Sequence, residues 1–75
     1  MDRKELEFVL RRAQIDLIDS LTSDLKQQKL HLEDRIAQKK KVKENTTLDE
    51  ATLHAVNLEL ESYNSRRAQL VSNLY

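Results

Sequence analysis

The sequence predicts an all-α fold, an antiparallel hairpin of two helices that pack as in a coiled coil. The 75 residues include no glycine, proline or cysteine, so the residues on which tight turns and disulfide scaffolds depend are missing. Apolar residues recur at intervals of three and four, which is the spacing of amphipathic helices. The polar stretch Asn45-Thr46-Thr47 interrupts this pattern and divides the chain in two.

The first helix is expected to run from about residue 3 to about residue 43. Asp2 and Glu5 form a pair like a capping box at its start. The basic run 39–43 suits its end, where cations meet exposed carbonyl groups. Its apolar stripe also includes Leu6 and Ala13, and the residues expected in the seam between the helices are Leu10, Leu17, Leu21, Leu25, Leu32 and Ile36.

The stretch 20–24 leaves open whether the first helix is continuous. Its hydroxyl and carboxylate side chains compete for backbone hydrogen bonds and favour a break, which would give three helices. A continuous first helix would be longer than the second by roughly 20 Å and would overhang it. The absence of proline and glycine favours the continuous helix.

The second helix is expected to follow a loop at about 44–47 and to run from about 48 to about 74. Asn45 is expected in the left-handed conformation that ends a helix, and Thr47 with Glu50 matches a capping box. Arg67 interrupts the apolar heptad and would direct its guanidinium outward. We expect residues 1–75 to form a single domain. The residues expected in the seam on the second helix are Leu53, Val56, Leu60, Tyr63, Leu70 and Leu74.

Composition and charge favour a protein partner over other ligands. Thirteen basic residues balance thirteen acidic ones, whereas nucleic-acid-binding domains present a basic surface. No segment approaches the roughly 20 apolar residues that cross a membrane. His31 and His54 lack partners at metal-ligand spacing, so we expect no metal, cofactor or small-molecule substrate. No secretory signal follows Met1, so we expect a cytoplasmic protein, and the start at Met1 leads us to expect a complete one.

Some apolar residues lie outside the expected seam and are candidates for binding a partner. On the first helix, Phe8 and Ile15 lie one heptad apart, on the side opposite the leucines. The second helix carries a stripe of mostly small residues, which lets another helix approach closely. The alternative is a solvent-exposed face with scattered apolar residues. The candidate partner-binding residues are Phe8, Ile15, Ala51, Ala55, Leu58 and Ser62.

The stretch from Arg12 through Ile15-Asp16-Leu17-Ile18-Asp19 to Lys29 and Lys40 resembles the first helix of the all-helical chorismate mutases. The resemblance implies that Arg12, Lys29 and Lys40 bind the substrate carboxylates. The Arg-Glu pair that opens the second helix of that family falls here on Thr52 and Leu53, so we expect a non-enzymatic protein.

The chain also resembles, over nearly its whole length, the small helical co-chaperones of bacterial type III secretion. The resemblance lies in Leu6-Glu7 and Leu10, in the polar loop, and in the segments 58–62 and 70–75. It implies a hairpin that pairs with a helical-repeat chaperone and keeps a needle subunit soluble in the cytoplasm. The alternative is a homodimeric coiled coil or four-helix bundle with a structural or regulatory role.

Overall fold

The computed structural model describes residues 2–73 as two antiparallel helices, α1 (Arg3–Lys41, 39 residues) and α2 (Thr47–Ser72, 26 residues). The described chain contains no strand, and it forms a rod with dimensions of 61 × 15 × 15 Å. The prediction of an all-α hairpin is confirmed. The helices end and begin slightly earlier than predicted, at Lys41 and Thr47.

Helix α1 is continuous through residues 20–24, so the alternative with a break and three helices does not occur. Thr22 is buried there, and its hydroxyl donates to the carbonyl oxygen of Asp19 at 3.0 Å, which satisfies the polar group within the helix. At the start of α1, one carboxylate oxygen of Asp2 accepts hydrogen bonds from the amides of Lys4 (2.6 Å) and Glu5 (3.2 Å). Asp2 therefore caps α1, as the sequence predicts.

The end of α1 is a Schellman motif in which a lysine takes the place usually held by glycine. Lys43 has a φ of 59°, in the left-handed region. The amide of Glu44 donates to the carbonyl oxygen of Lys39 at 2.9 Å, and the amide of Lys43 donates to the carbonyl oxygen of Lys40 at 3.2 Å. The prediction that Asn45 adopts the left-handed conformation is wrong, because α1 ends two residues earlier than expected.

The predicted capping box at Thr47 and Glu50 is also wrong. Thr46 caps α2 and its side chain makes no capping hydrogen bond, while Thr47 is already the first helical residue. The carbonyl oxygen of the Asn45 side chain accepts from the amide of Thr47 at 2.8 Å. Asn45 therefore satisfies the free amide of Thr47 at the start of α2.

The seam between the helices follows strict heptad spacing on both of them. Ile15, Ile18, Ile36, Val56 and Leu60 are the buried apolar side chains of the described residues. Half-buried residues continue the seam along both helices and alternate steps of three and four with the buried ones. The seam comprises Ile15, Ile18, Thr22, Leu25, Lys29, Leu32, Ile36 and Lys39 on α1, and Asp49, Leu53, Val56, Leu60, Tyr63 and Leu70 on α2, with the exposed Arg67 at the heptad position between Tyr63 and Leu70.

The prediction that Leu10, Leu17 and Leu21 lie in the seam is wrong, because these side chains are 54%, 61% and 37% exposed. The true seam includes the polar residues Thr22 and Lys29. The row of leucines is more apolar than this seam, which is why the sequence pattern selects it. The two rows meet at Leu25. Leu74 lies outside the described residues.

Candidate protein-binding surfaces

The start of α1 extends beyond the end of α2. The guanidinium of Arg11 donates to the backbone carbonyl of Asn73 at 2.9 Å, so the described part of α2 ends opposite Arg11. The turns of α1 before Arg11 carry the apolar residues Leu6, Phe8, Val9 and Leu10, each about half exposed. Such a concentration of apolar side chains favours contact with another surface.

A row of exposed leucines runs along one side of α1, and we call it the leucine stripe: Leu6, Leu10, Leu17 and Leu21. At about 100° per residue, the stripe lies roughly 110° around α1 from the seam. Tyr63 and Arg66 of α2 border it, because they line a shallow groove together with Leu17 and Leu21. The leucine stripe is therefore an exposed, largely apolar surface beside the seam, bordered by one aromatic and one cationic side chain.

The side of α2 that faces away from α1 forms a second exposed surface, which we call the α2 outer face: Ala51, Ala55, Leu58 and Ser62. Leu58 is 53% exposed and is the one large apolar residue of this set. Its neighbours on the face are small, so a partner helix can approach closely around it. The structure places Phe8 on α1 at 50% exposure, separate from this face.

Ile15 is the one predicted partner-binding residue that the structure removes from the surface. It is 2% exposed and lies in the seam. Phe8 and Ile15 do lie on the side of α1 opposite the leucine stripe, as the heptad spacing indicates. That side faces α2. In the first half of α1, the side predicted to be exposed is therefore the buried one, and the side predicted to be buried is exposed.

Charged side chains near the connection hold the helices in register. The Lys39 ammonium donates to a carboxylate oxygen of Asp49 at 2.6 Å, and a guanidinium nitrogen of Arg35 lies 3.7 Å from the other oxygen. The hydrogen bond from Lys39 lowers the pKa of Asp49. Burial of the carboxyl acts against this shift, and the positive charges of Lys39 and Arg35 add to it. Lys40 and Glu50 pair beside them at 3.4 Å.

A second ionic contact lies towards the other end of the rod. The Arg67 Nε donates to Asp19 Oδ1 at 2.6 Å, although both side chains are nearly half exposed. Arg67 occupies a heptad position of α2, and its guanidinium pairs with Asp19 of α1. Lys39, Asp49 and Asp19 were not among the predicted site residues. The heptad spacing of α2, continued towards its start, would have found Asp49.

The described residues hold no group of three or more histidine, cysteine, aspartate or glutamate side chains placed to bind a metal ion. Neither described helix is long and apolar enough to cross a membrane. Arg12 pairs with Asp16 at 3.9 Å, and Lys40 pairs with Glu50. Arg12 and Lys40 lie about 42 Å apart along α1, so one copy of the chain does not place them around one small substrate.

Comparisons with models of protein families, with curated proteins and with solved structures found no match to this chain. The geometry of its surfaces is therefore the basis for a functional proposal.

Proposed function

We propose that this chain is a non-enzymatic protein-binding module that covers an apolar surface on a larger helical protein. The observation that carries the proposal is the distribution of apolar side chains. Ten large ones are exposed and five apolar side chains are buried among the described residues. A hairpin this thin gains little core of its own, and binding a partner would bury exposed apolar residues such as Leu58 and Phe8.

The specific form of the proposal is a small co-chaperone of type III secretion. Its resemblance to that family supports a heterodimer with a helical-repeat chaperone, which together would keep a needle subunit soluble in the cytoplasm. The α2 outer face and Phe8 are the surfaces proposed to contact the chaperone. Leu58 would serve as the apolar anchor, and the small side chains of Ala51, Ala55 and Ser62 would let a partner helix pack around it.

The test uses the helical-repeat chaperone and needle subunit of the organism that makes this chain. Binding of the chaperone is measured by isothermal titration calorimetry, and solubility of the needle subunit by centrifugation. We expect a complex with the native chain and none with Ala55→Glu, because a carboxylate placed in an apolar contact loses its hydration. Circular dichroism checks that the variant remains helical.

Ala37→Glu is the matched control, since Ala37 is exposed on α1 and lies away from the α2 outer face. This variant should bind as the native chain does. Equal binding by Ala55→Glu and the native chain would contradict the assigned surface. An organism with neither a chaperone nor a needle subunit of this kind would contradict the co-chaperone proposal itself.

A further inference from the structure

We propose that the leucine stripe is a self-association surface: it binds the leucine stripe of a second copy, with the two α1 helices antiparallel. The result is a dimer with two-fold symmetry in which the two α1 helices pack against each other. This inference does not rest on the proposed function. The α2 outer face points away from α1 and remains on the outside of the dimer, so self-association and partner binding use different surfaces.

The positions of the leucines carry the inference, because the stripe reads the same in both directions. Leu6 and Leu21 are equally distant in sequence from the midpoint between Ala13 and Gln14, and so are Leu10 and Leu17. A two-fold axis through that midpoint places each Leu6 at the height of Leu21 in the other copy. It also places each Leu10 at the height of Leu17. Every leucine of the stripe then meets an apolar side chain, which is the condition that an interface between identical surfaces must meet.

The small Ala13 lies at the centre of this arrangement, and its side chain is exposed. A small residue at the crossing point lets the two helices approach closely, while the leucines on either side pack against each other. Helix pairs of this kind have interaxial distances of about 8–10 Å.

Charges around the stripe are complementary under the same axis. Arg3 and Asp24 are equally distant from the midpoint, so each cation lies at the height of an anion in the other copy. Glu7 falls at the height of Ser20, where the Arg66 side chain borders Leu17 and Leu21. Within one chain Arg3 pairs with Glu7 at 3.6 Å, but both are exposed. Exposed pairs are weak, so exchanging them for contacts between copies costs little.

The area of the leucine stripe limits the affinity of the dimer. From Leu6 to Leu21 it spans about 22 Å, and a stable interface of standard size buries about 800 Å² on each partner. Tyr63 and Arg66 widen the surface on the side of α2. We therefore expect a monomer–dimer equilibrium with a dissociation constant in the micromolar range, on the order of 10 μM.

Sedimentation equilibrium over a range from about 1 μM to about 1 mM tests the association. The native chain should convert from monomer to dimer, and Leu17→Glu should remain monomeric and equally helical by circular dichroism. Leu30→Glu is the control: Leu30 is exposed on α1, roughly 140° around the helix from the stripe. It should dimerise with the dissociation constant of the native chain.

Chemical cross-linking tests the register and does not depend on the folding of a charged variant. The chain has no cysteine, so a single introduced thiol reports one position. Ala13→Cys should be cross-linked efficiently by a bis-maleimide with a span of about 10 Å, because the two thiols lie beside the axis. Ala37→Cys is an exposed control near the far end of α1, and it should not be cross-linked.

The inference is overturned if the native chain stays monomeric throughout, in which case the stripe is covered by a different protein or by none. It is also overturned if Leu17→Glu dimerises as strongly as the native chain, or if the two cysteine variants are cross-linked equally. Loss of chaperone binding in Ala55→Glu, with dimerisation intact, would separate the two proposals.

Discussion

At the scale of single residues, Asp49 shows how one carboxylate joins the two helices. It is buried in the seam at the start of α2, and it accepts a hydrogen bond from Lys39 of α1. A carboxyl group with a lowered pKa in the folded chain binds its proton less tightly there than in the unfolded chain. Its contribution to stability is therefore complete above the unfolded pKa and disappears as the pH falls through the folded pKa.

We predict that the advantage of the native chain over Asp49→Asn shrinks as the pH falls from about 6 to about 2, because the ordinary pKa of aspartate is near 4. Urea denaturation followed by circular dichroism gives the free energies of unfolding. Glu33→Gln, which removes an exposed carboxylate from α1, serves as the control for loss of one charge. A difference that stayed constant or grew towards low pH would show that the Asp49 contacts do not stabilise the hairpin as charged pairs.

Ile15 and Leu17 form a matched pair for testing which side of α1 faces α2. Replacing the buried Ile15 with alanine should lower the free energy of unfolding by about 2–4 kcal/mol, because it leaves a cavity in the seam. Leu17→Ala removes an exposed side chain and should change stability by less than about 0.5 kcal/mol. Denaturation is measured at low protein concentration, where the chain is monomeric. The reverse order of effects would show that the leucines form the seam.

At the scale of the elements, the end of α1 contains a residue that is poorly suited to its conformation. Lys43 has a positive φ, where the Cβ atom of any residue other than glycine crowds the backbone. The two hydrogen bonds of the Schellman motif, from the amides of Lys43 and Glu44, hold it there. A chain without glycine has no residue that avoids this cost.

We predict that Lys43→Gly stabilises the hairpin by about 0.5–1 kcal/mol, since relief of the crowding exceeds the larger entropy that glycine loses on folding. Thermal or urea denaturation measures the gain. Lys43→Ala keeps the Cβ atom and removes only the charge, so it should give no comparable stabilisation. Equal effects from the two variants would point to charge repulsion among the neighbouring lysines as the source of the gain.

The elements were largely predictable from the sequence, and their packing only in part. The lack of glycine and proline, the cap at Asp2 and the polar break after Lys43 all follow from local chemistry, which is why two helices were expected. The side of α1 that faces α2 depends on both helices together. Thr22 and Lys29 are polar and lie in the seam, while Leu17 is apolar and exposed, so hydrophobicity alone selects the wrong row.

At the scale of the whole molecule, the chain is a rod in which one helix has two apolar sides. One side of α1 packs on α2, and the leucine stripe lies beside it along the first half of the helix. The strict spacing of Ile15, Ile18, Thr22 and Leu25 identifies the seam once its polar members are allowed. The leucines of the stripe are then apolar residues of α1 that remain outside the seam. A surplus of this kind is what separates the binding surfaces proposed here from an ordinary exposed helix face.

The direction of the chain through the rod also sets the order in which its contacts form. Lys39 and Asp49 are 10 residues apart in sequence, whereas Arg11 and Asn73 are 62 apart. Closing the longer loop first would cost about 1.6 kcal/mol more in chain entropy than closing the shorter one. We therefore expect folding to proceed from the connection towards the open end of the hairpin. The last contacts to form, and the first to open, are those beside the exposed leucines at the start of α1.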